Sequence, residues 1–164
     1  MSLKTMDDLF MHGLKDLYYA EKKLVQNLPK MAKKANSPEL AQAIENHLKE
    51  TEGQVTRLER IFESCETTPR GKKCPAMDGL LEEGKELMQE AEDDDTLDAG
   101  MLAAAQAVEH YEIARYGTMV AWAQELGMTE AANLLQETLD EEKNADRLLS
   151  QIAEGKLNRE AAAA

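Results

Sequence analysis

Glutamates recur at equivalent places in two similar segments of the chain, and carboxylates in such places can bind metal ions. Glu21 and Glu112 lie 91 residues apart, each near the centre of an apolar helical pattern. Because burial of a lone charge is costly, an ionised glutamate inside an apolar face needs a cationic partner. A divalent metal ion is one such partner, and a neighbouring lysine or arginine is another.

The two apolar patterns have the alternating three- and four-residue spacing of an amphipathic helix that enters a bundle core. The first face consists of Phe10, Leu14, Leu17, Glu21, Leu24, Leu28 and Met31. The second face consists of Met101, Ala105, Val108, Glu112, Arg115, Met119 and Trp122. The repeat predicts two equivalent helical hairpins, each with a carboxylate on the core-facing side of its first helix.

The same 91-residue offset relates two further faces that are apolar at their ends and polar in the middle. One face consists of Leu40, Ile44, His47, Thr51, Gln54, Leu58 and Ile61. The other consists of Ala131, Leu135, Thr138, Glu142, Ala145, Leu149 and Ile152. Because this spacing places both faces in the bundle core, we expect their polar centres to be buried.

Antiparallel packing should bring these polar centres to one level. If the tight turns lie near residues 36 and 128, Glu21 faces residue 50 and Glu112 faces residues 142–144. Side chains one helical turn away project toward the same layer. The candidate metal ligands are therefore Glu21, His47, Glu50, Gln54, Glu109, Glu112, Glu142 and Asp146.

The expected cofactor of this layer is a pair of divalent metal ions. Four carboxylates in a desolvated layer cannot all ionise without a counter-ion or strongly raised pKa values. Two divalent cations would neutralise four such charges, as in carboxylate-bridged dimetal bundles. Oxygen-rich ligands favour iron or manganese, with zinc as a common contaminant. The alternative is that the glutamates lie at the edge of the core and pair with Lys22, Arg115 and Lys143.

Composition and the residues typical of helix starts and ends predict the helices that carry these candidate ligands. The 164-residue chain is 43% hydrophobic and 31% charged, with only four prolines, and its many helix-forming residues favour an all-α domain. We expect long helices over 3–34, 37–64, 95–127 and 129–152, and a short helix over 77–91. Ser37 and Pro38 suit a helix start, Thr129 a cap, and Gly127 a left-handed helix end.

Short, long and short connections between these helices predict a ferritin-like four-helix bundle, whose long crossover carries the short extra helix. We expect one domain over 1–154. The tail over 155–164 shows no apolar pattern and is expected to be frayed.

Charge and hydropathy favour a cytoplasmic protein. The formal net charge of −13 disfavours binding to nucleic acid and to anionic lipid. No stretch approaches the roughly 20 apolar residues that span a bilayer, and the start of the chain lacks the basic and apolar regions of a signal peptide. We therefore expect neither a membrane nor a nucleic-acid partner.

The two cysteines match no redox or zinc motif. Cys65 and Cys74 lie nine positions apart, whereas such motifs usually separate their cysteines by two residues. In the cytoplasm we expect two free thiols. A bridge within or between subunits is the alternative.

Five segments contain the most distinctive motifs of the chain. They are Asp16-Leu-Tyr-Tyr-Ala-Glu-Lys, His47-Leu-Lys-Glu-Thr-Glu-Gly-Gln-Val, Lys73-Cys-Pro-Ala-Met, Val108-Glu-His-Tyr-Glu-Ile-Ala-Arg-Tyr-Gly and Leu139-Asp-Glu-Glu-Lys. Together they resemble the YciE/YciF-like family of bacterial stress proteins, and the resemblance extends over 3–153. It implies a ferritin-like fold, a homodimer and a role in stress responses, without a settled biochemical activity.

Ferritin-like enzymes usually carry Glu-x-x-His on their second and fourth helices, and this chain departs from that pattern. Gly53 and Ala145 stand where the histidines would be, and the amide of Gln54 is a poorer ligand than imidazole. Two functions therefore stay open. One is a stress-associated dimetal protein that handles iron or reactive oxygen. The other is a non-catalytic helical dimer that acts through contacts with an unidentified protein partner.

Overall fold

The computed structural model describes residues 3–164 and confirms an all-α, ferritin-like bundle. Its principal helices are α1 (Met6–Lys34), α2 (Pro38–Ser64), α3 (Pro75–Glu90), α4 (Asp94–Glu125) and α5 (Thr129–Ile152). The pairs α1/α2 and α4/α5 form antiparallel hairpins, which meet through contacts of α2 with α5 and of α1 with α4. Helix α3 lies in the long crossover and packs mainly against α4. No strand occurs within 3–164.

The turn between α1 and α2 is capped by its own residues and by a distant helix. The Ser37 hydroxyl accepts from the backbone N–H of Leu40, and Pro38 opens the helix as predicted. The buried Asp98 carboxylate of α4 accepts from the backbone N–H groups of Asn36 at 2.8 Å and Ser37 at 2.6 Å. Asp98 therefore ties this turn to α4 and contributes to the alignment of the two hairpins.

The turn between α4 and α5 confirms one sequence expectation and corrects another. Gly127 has a φ of +69°, in the left-handed region that favours glycine. Thr129 is the first residue of α5 rather than its cap. The cap position is Met128, which has no side-chain hydrogen bond to the helix. The prediction of a Thr129 cap was wrong, because the helix begins one residue earlier than that role requires.

The C-terminal segment differs from the frayed tail expected for 155–164. A π-helical turn (Ala153–Leu157) follows α5 and leads into a short helix, α6 (Asn158–Ala161). Leu157 is only 3% exposed and packs in the same apolar cluster as Met101 and Leu102 of α4. The wider π turn places Leu157 inward, where regular α spacing from Ile152 would have placed Lys156.

Two apolar clusters fill the bundle on either side of a polar layer. One cluster contains Leu24, Leu28, Leu40 and Met101, and the other contains Phe10, Leu14, Leu58, Ile61 and Met119. The predicted core faces of α1, α2 and α5 are buried at every position. On α4, Arg115 is exposed instead and Tyr116 is fully buried in its place.

The cysteines and the apolarity of the helices are two further features of the fold. Both cysteines are free, as expected, with Cys74 buried and Cys65 half-buried. Among the helices of residues 3–164, none has the length and apolarity that a bilayer crossing requires.

Candidate metal centre

Four helices contribute side chains to the polar layer between the two apolar clusters. Every one of these side chains is less than 10% exposed. The layer consists of Glu21 from α1, His47 and Gln54 from α2, Glu109, Glu112 and Tyr116 from α4, and Glu142 from α5. The 91-residue repeat thus positions its paired glutamates, Glu21 and Glu112, as the sequence indicated.

The centre of the layer is a cluster of three carboxylates and one imidazole. His47, Glu109, Glu112 and Glu142 each offer one ligand atom, and these four atoms lie within 4.8 Å of one another. Atoms bound at about 2.1 Å to a common ion lie at most about 4.2 Å apart. Only slight side-chain adjustment would therefore let all four contact one ion.

The hydrogen bonding of this layer is incomplete within the described part of the chain. Both carboxylate oxygens of Glu112 and both ring nitrogens of His47 are buried without a hydrogen-bond partner, although His47 Nε2 lies 3.3 Å from Glu109 Oε1. One further oxygen is unpaired on each of Glu21, Glu109 and Glu142. Buried polar atoms are normally paired, so these donor atoms fit a cation between them.

Burial and mutual repulsion raise the carboxyl pKa values in this layer. Desolvation is the largest cause of the raised pKa of Glu21, followed by the charge of Glu142. The pKa of Glu112 is raised by desolvation and then by the charge of Glu21, and the pKa of Glu109 is raised by desolvation and by the neighbouring Glu142 carboxylate. A bound cation would oppose these effects by favouring the ionised carboxylates.

Two uncharged side chains orient the carboxylates. The Gln54 amide nitrogen donates to Glu142 Oε1 at 2.5 Å and to Glu141 Oε2 at 3.1 Å. The buried Tyr116 hydroxyl donates to Glu21 Oε1. In this orientation Gln54 presents a donor to the carboxylates, while its own Oε1 has no partner.

Glu141, which the repeat aligns with Glu50, is neutralised at the side of the layer. The guanidinium of Arg57 donates to both of its oxygens, at 2.8 Å and 2.5 Å. The hydrogen bond with Glu141 raises the pKa of Arg57, and this effect outweighs desolvation, which lowers that pKa. Glu141 therefore already has a cationic partner, whereas no lysine or arginine among residues 3–164 pairs with the buried carboxylates of the layer.

Two of the eight predicted ligands lie at the edge of the layer. The side chain of Glu50 is 37% exposed, and its Oε2 lies 3.8 Å from His47 Nδ1. Asp146 accepts from Gln106 at 3.1 Å and lies 3.1 Å from Nε2 of the exposed His110. The structure brings the other six together, namely Glu21, His47, Gln54, Glu109, Glu112 and Glu142.

Sequence reasoning placed Arg115 rather than Tyr116 on the core face of α4 and did not place the Tyr116 hydroxyl in the acidic layer. Positions three and four residues after Glu112 both suit a core face, and the repeat pattern selected Arg115. The Arg115 guanidinium instead lies 5.3 Å from the ring centroid of Tyr111. The greater apolarity of tyrosine was the available signal that the fourth position faces the core.

The chain is similar to proteins of one family over almost its full length. A family model described as a domain of unknown function, DUF892, matches residues 5–162. Protein YciF of Escherichia coli strain K12 is 45% identical over 162 residues, which are 98% of each chain.

Solved structures extend this similarity to three dimensions. The crystal structure of the E. coli stress protein YciF has a TM-score of 0.91 at 44% identity, covering 95% of this chain and 99% of that one. YcfI from Rhodopseudomonas palustris is described as a candidate structural protein. It has a TM-score of 0.89 at 47% identity, covering 91% of this chain and 95% of that one. A Xanthomonas campestris protein has a TM-score of 0.73 at 26% identity, covering 95% of this chain and 99% of that one.

Proposed function

The chain belongs to the DUF892 family, and we propose that it is a stress-associated protein whose buried glutamates and His47 bind divalent metal ions. The supporting observation is the set of unpaired donor atoms in the layer, above all both oxygens of Glu112. The link to stress comes from the similar E. coli protein, which is described as a stress protein.

The charge of the layer supports two divalent ions per chain. Glu21, Glu109, Glu112 and Glu142 would carry four negative charges when ionised, and the nearby Arg57 is engaged by Glu141. Two divalent cations match that charge. One ion would be held by His47, Glu109, Glu112 and Glu142, and the second by Glu21 together with Glu112 and Glu142.

The ligand types support iron or manganese in preference to softer metals. One imidazole and several carboxylates form a predominantly oxygen donor set, whereas thiolate donors favour zinc and copper. When bound, iron would supply the oxidation of Fe(II) by oxygen or peroxide, and either metal would supply the activation of these oxidants. The protein residues hold the ions, flank them with two apolar clusters, and orient Glu21 and Glu142 through Tyr116 and Gln54.

A second candidate function is a non-catalytic helical homodimer that acts through contacts with another protein. It is favoured by the absence of histidine at Gly53 and Ala145, where ferritin-like enzymes usually carry their ligands. The description of the similar R. palustris protein as a candidate structural protein is in line with this function. Sedimentation analysis tests the dimer itself.

Metal content distinguishes the two functions. Protein purified without chelator or affinity nickel is analysed by mass spectrometry, before and after anaerobic addition of Fe(II) and, separately, Mn(II). We expect about two ions per chain. Glu112→Gln should lower this number to one or none, because it removes an ionised ligand that both positions share.

An exposed glutamate on the same helix provides the matched control. Glu125→Gln changes the net charge by the same amount outside the layer and should retain the full metal content. Equal metal content in the Glu112→Gln and Glu125→Gln proteins would contradict the proposed centre. Wild-type protein that stays empty in both metals would favour the structural dimer.

A further inference from the structure

An apolar cavity lies directly beside the acidic layer. It has a volume of about 150 Å³ and lies in the half of the bundle that includes the first apolar cluster. Its apolar walls include Leu28, Ile44, Ala105, Val108, Ala145 and Leu149. Because small residues of α4 and α5 occupy two wall positions, the facing helices leave space between them.

One end of this cavity is formed by residues of the layer itself. His47 and Glu109 line it, and both side chains are more than 90% buried. Both His47 nitrogens and Glu109 Oε2 have no hydrogen-bond partner among the described residues. A molecule in the cavity would therefore touch two of the residues that we assign to the metal centre.

The same cavity also reaches the surface between α2 and α5. Its lining there includes the exposed Asn46 and Asn144 and the half-buried Glu50. The cavity thus connects solvent with the acidic layer along a mostly apolar path.

Size and charge define what this cavity can accept. In another, well-studied protein, an apolar cavity of about 150 Å³ stays dry and accommodates benzene. The half-buried Glu50 in its lining and the net charge of −13 oppose the entry of an anion. The fitting class is therefore a small, uncharged, mainly apolar molecule.

We infer that this cavity is a binding site for small uncharged apolar molecules, which it holds against His47 and Glu109. Binding itself requires only the cavity. The further role of such a molecule as a substrate rests on the proposed metal centre.

Fluorine NMR on the intact protein tests the inference with fluorobenzene as the probe. We expect fluorobenzene to bind wild-type protein in a saturable manner and unlabelled benzene to displace it. The anion 4-fluorobenzoate should bind at least about tenfold more weakly, because Glu50 lines the cavity and the chain has a net charge of −13. In methyl spectra, fluorobenzene should shift the signals of Ile44 and Leu149, which line the cavity.

Substitution of the small wall residues tests the location. Ala105→Leu adds three carbon atoms to the cavity and should weaken fluorobenzene binding at least about tenfold. Ala103→Leu is the control, because Ala103 is exposed on the same helix. Since overpacking can destabilise a core, Ala145→Leu serves as a second filling variant and circular dichroism verifies the fold of each protein.

The outcomes separate this site from the metal centre. Ala105→Leu should lose fluorobenzene but keep its metal content, and Glu112→Gln should lose metal but keep fluorobenzene. No saturable binding to wild-type protein, or methyl shifts elsewhere than around the cavity, would overturn the inference and leave the metal centre standing. Saturable binding in a protein that takes up no metal would support the cavity and refute the proposed function.

Discussion

The buried hydroxyl of Tyr116 is hydrogen-bonded to the acidic layer. Its hydroxyl donates to Glu21 Oε1, and the other oxygen of Glu21 has no partner within residues 3–164. Tyr116→Phe removes this donor while the ring still fills the core. We expect the free energy of unfolding of the metal-free protein to fall by about 1–2 kcal/mol, because a buried carboxyl group loses its hydrogen bond.

Urea denaturation followed by circular dichroism measures this change. Tyr18→Phe is the matched control, since the Tyr18 hydroxyl donates to Glu59 in a half-buried position. A smaller loss is expected there because water can replace the tyrosine. Equal losses in the two variants would mean that the Tyr116 hydroxyl is no more important than a surface one.

The sequence predicted individual residues of the layer where the helical periodicity is unambiguous. Glu21 and Glu142 could be placed because the alternating three- and four-residue spacing of each core face runs through them. Arg115 and Tyr116 could not be separated by spacing, and Glu109 could be assigned only to a neighbouring turn. The burial of Glu109 beside His47 depends on helix rotation and side-chain direction, which sequence spacing does not fix.

The α1–α2 turn depends on a residue that is distant in sequence. Asp98 is fully buried and accepts two backbone hydrogen bonds from Asn36 and Ser37. Asp98→Ala leaves these N–H groups without their charged acceptor. We expect a loss of about 2–4 kcal/mol in unfolding free energy, because hydrogen bonds to charged groups are stronger than neutral ones.

Thermal and urea unfolding measure this loss against Glu92→Ala, which removes an exposed acid just before α4. The control should change the unfolding free energy by less than about 0.5 kcal/mol. Similar values for the two variants would show that the turn is stable without Asp98.

The C-terminal π turn brings Leu157 into the apolar core beside α4. Leu157→Ala should lower the unfolding free energy by about 2–4 kcal/mol, because it leaves a cavity against α4. Gln151→Ala, at an exposed position of α5, is the control. If the two variants unfold alike, the C-terminal segment contributes little to the core.

Element boundaries were predictable where local chemistry fixes them. Ser37, Pro38 and Gly127 affect only the backbone hydrogen bonds and backbone angles of nearby residues, so their roles follow from residue type. Leu157 was missed because the π turn interrupts the α period that identified the preceding core positions. The role of Asp98 was also hidden, since its partners are about sixty residues away in the chain.

Across the whole molecule, two apolar clusters confine an acidic layer whose protonation depends on the fold. Glu21, Glu109 and Glu112 all have pKa values raised above the ordinary 4.5, chiefly by desolvation. Above pH 4.5 the unfolded chain releases these protons while the folded protein retains them. Folding is then opposed as pH rises, because the native state binds more protons than the unfolded state.

We therefore expect the metal-free protein to lose stability from this layer between pH 4.5 and the raised native pKa values. Each carboxyl that stays protonated contributes up to about 1.4 kcal/mol per pH unit. Glu112→Gln removes one such group, so its unfolding free energy should fall less steeply with pH than that of wild-type protein. Glu125→Gln, which changes an exposed residue of α4, should keep the wild-type slope.

Urea unfolding at pH 5, 6 and 7 measures these slopes, first without metal and then with Mn(II). Because Mn(II) binds the ionised carboxylates of the folded protein, its stabilising effect should increase as pH rises and should offset the metal-free loss. Parallel slopes for wild-type protein and Glu112→Gln would mean that Glu112 ionises in the folded core as it does in the unfolded chain. A layer of that kind would already contain the positive charge that we assign to the metal ions.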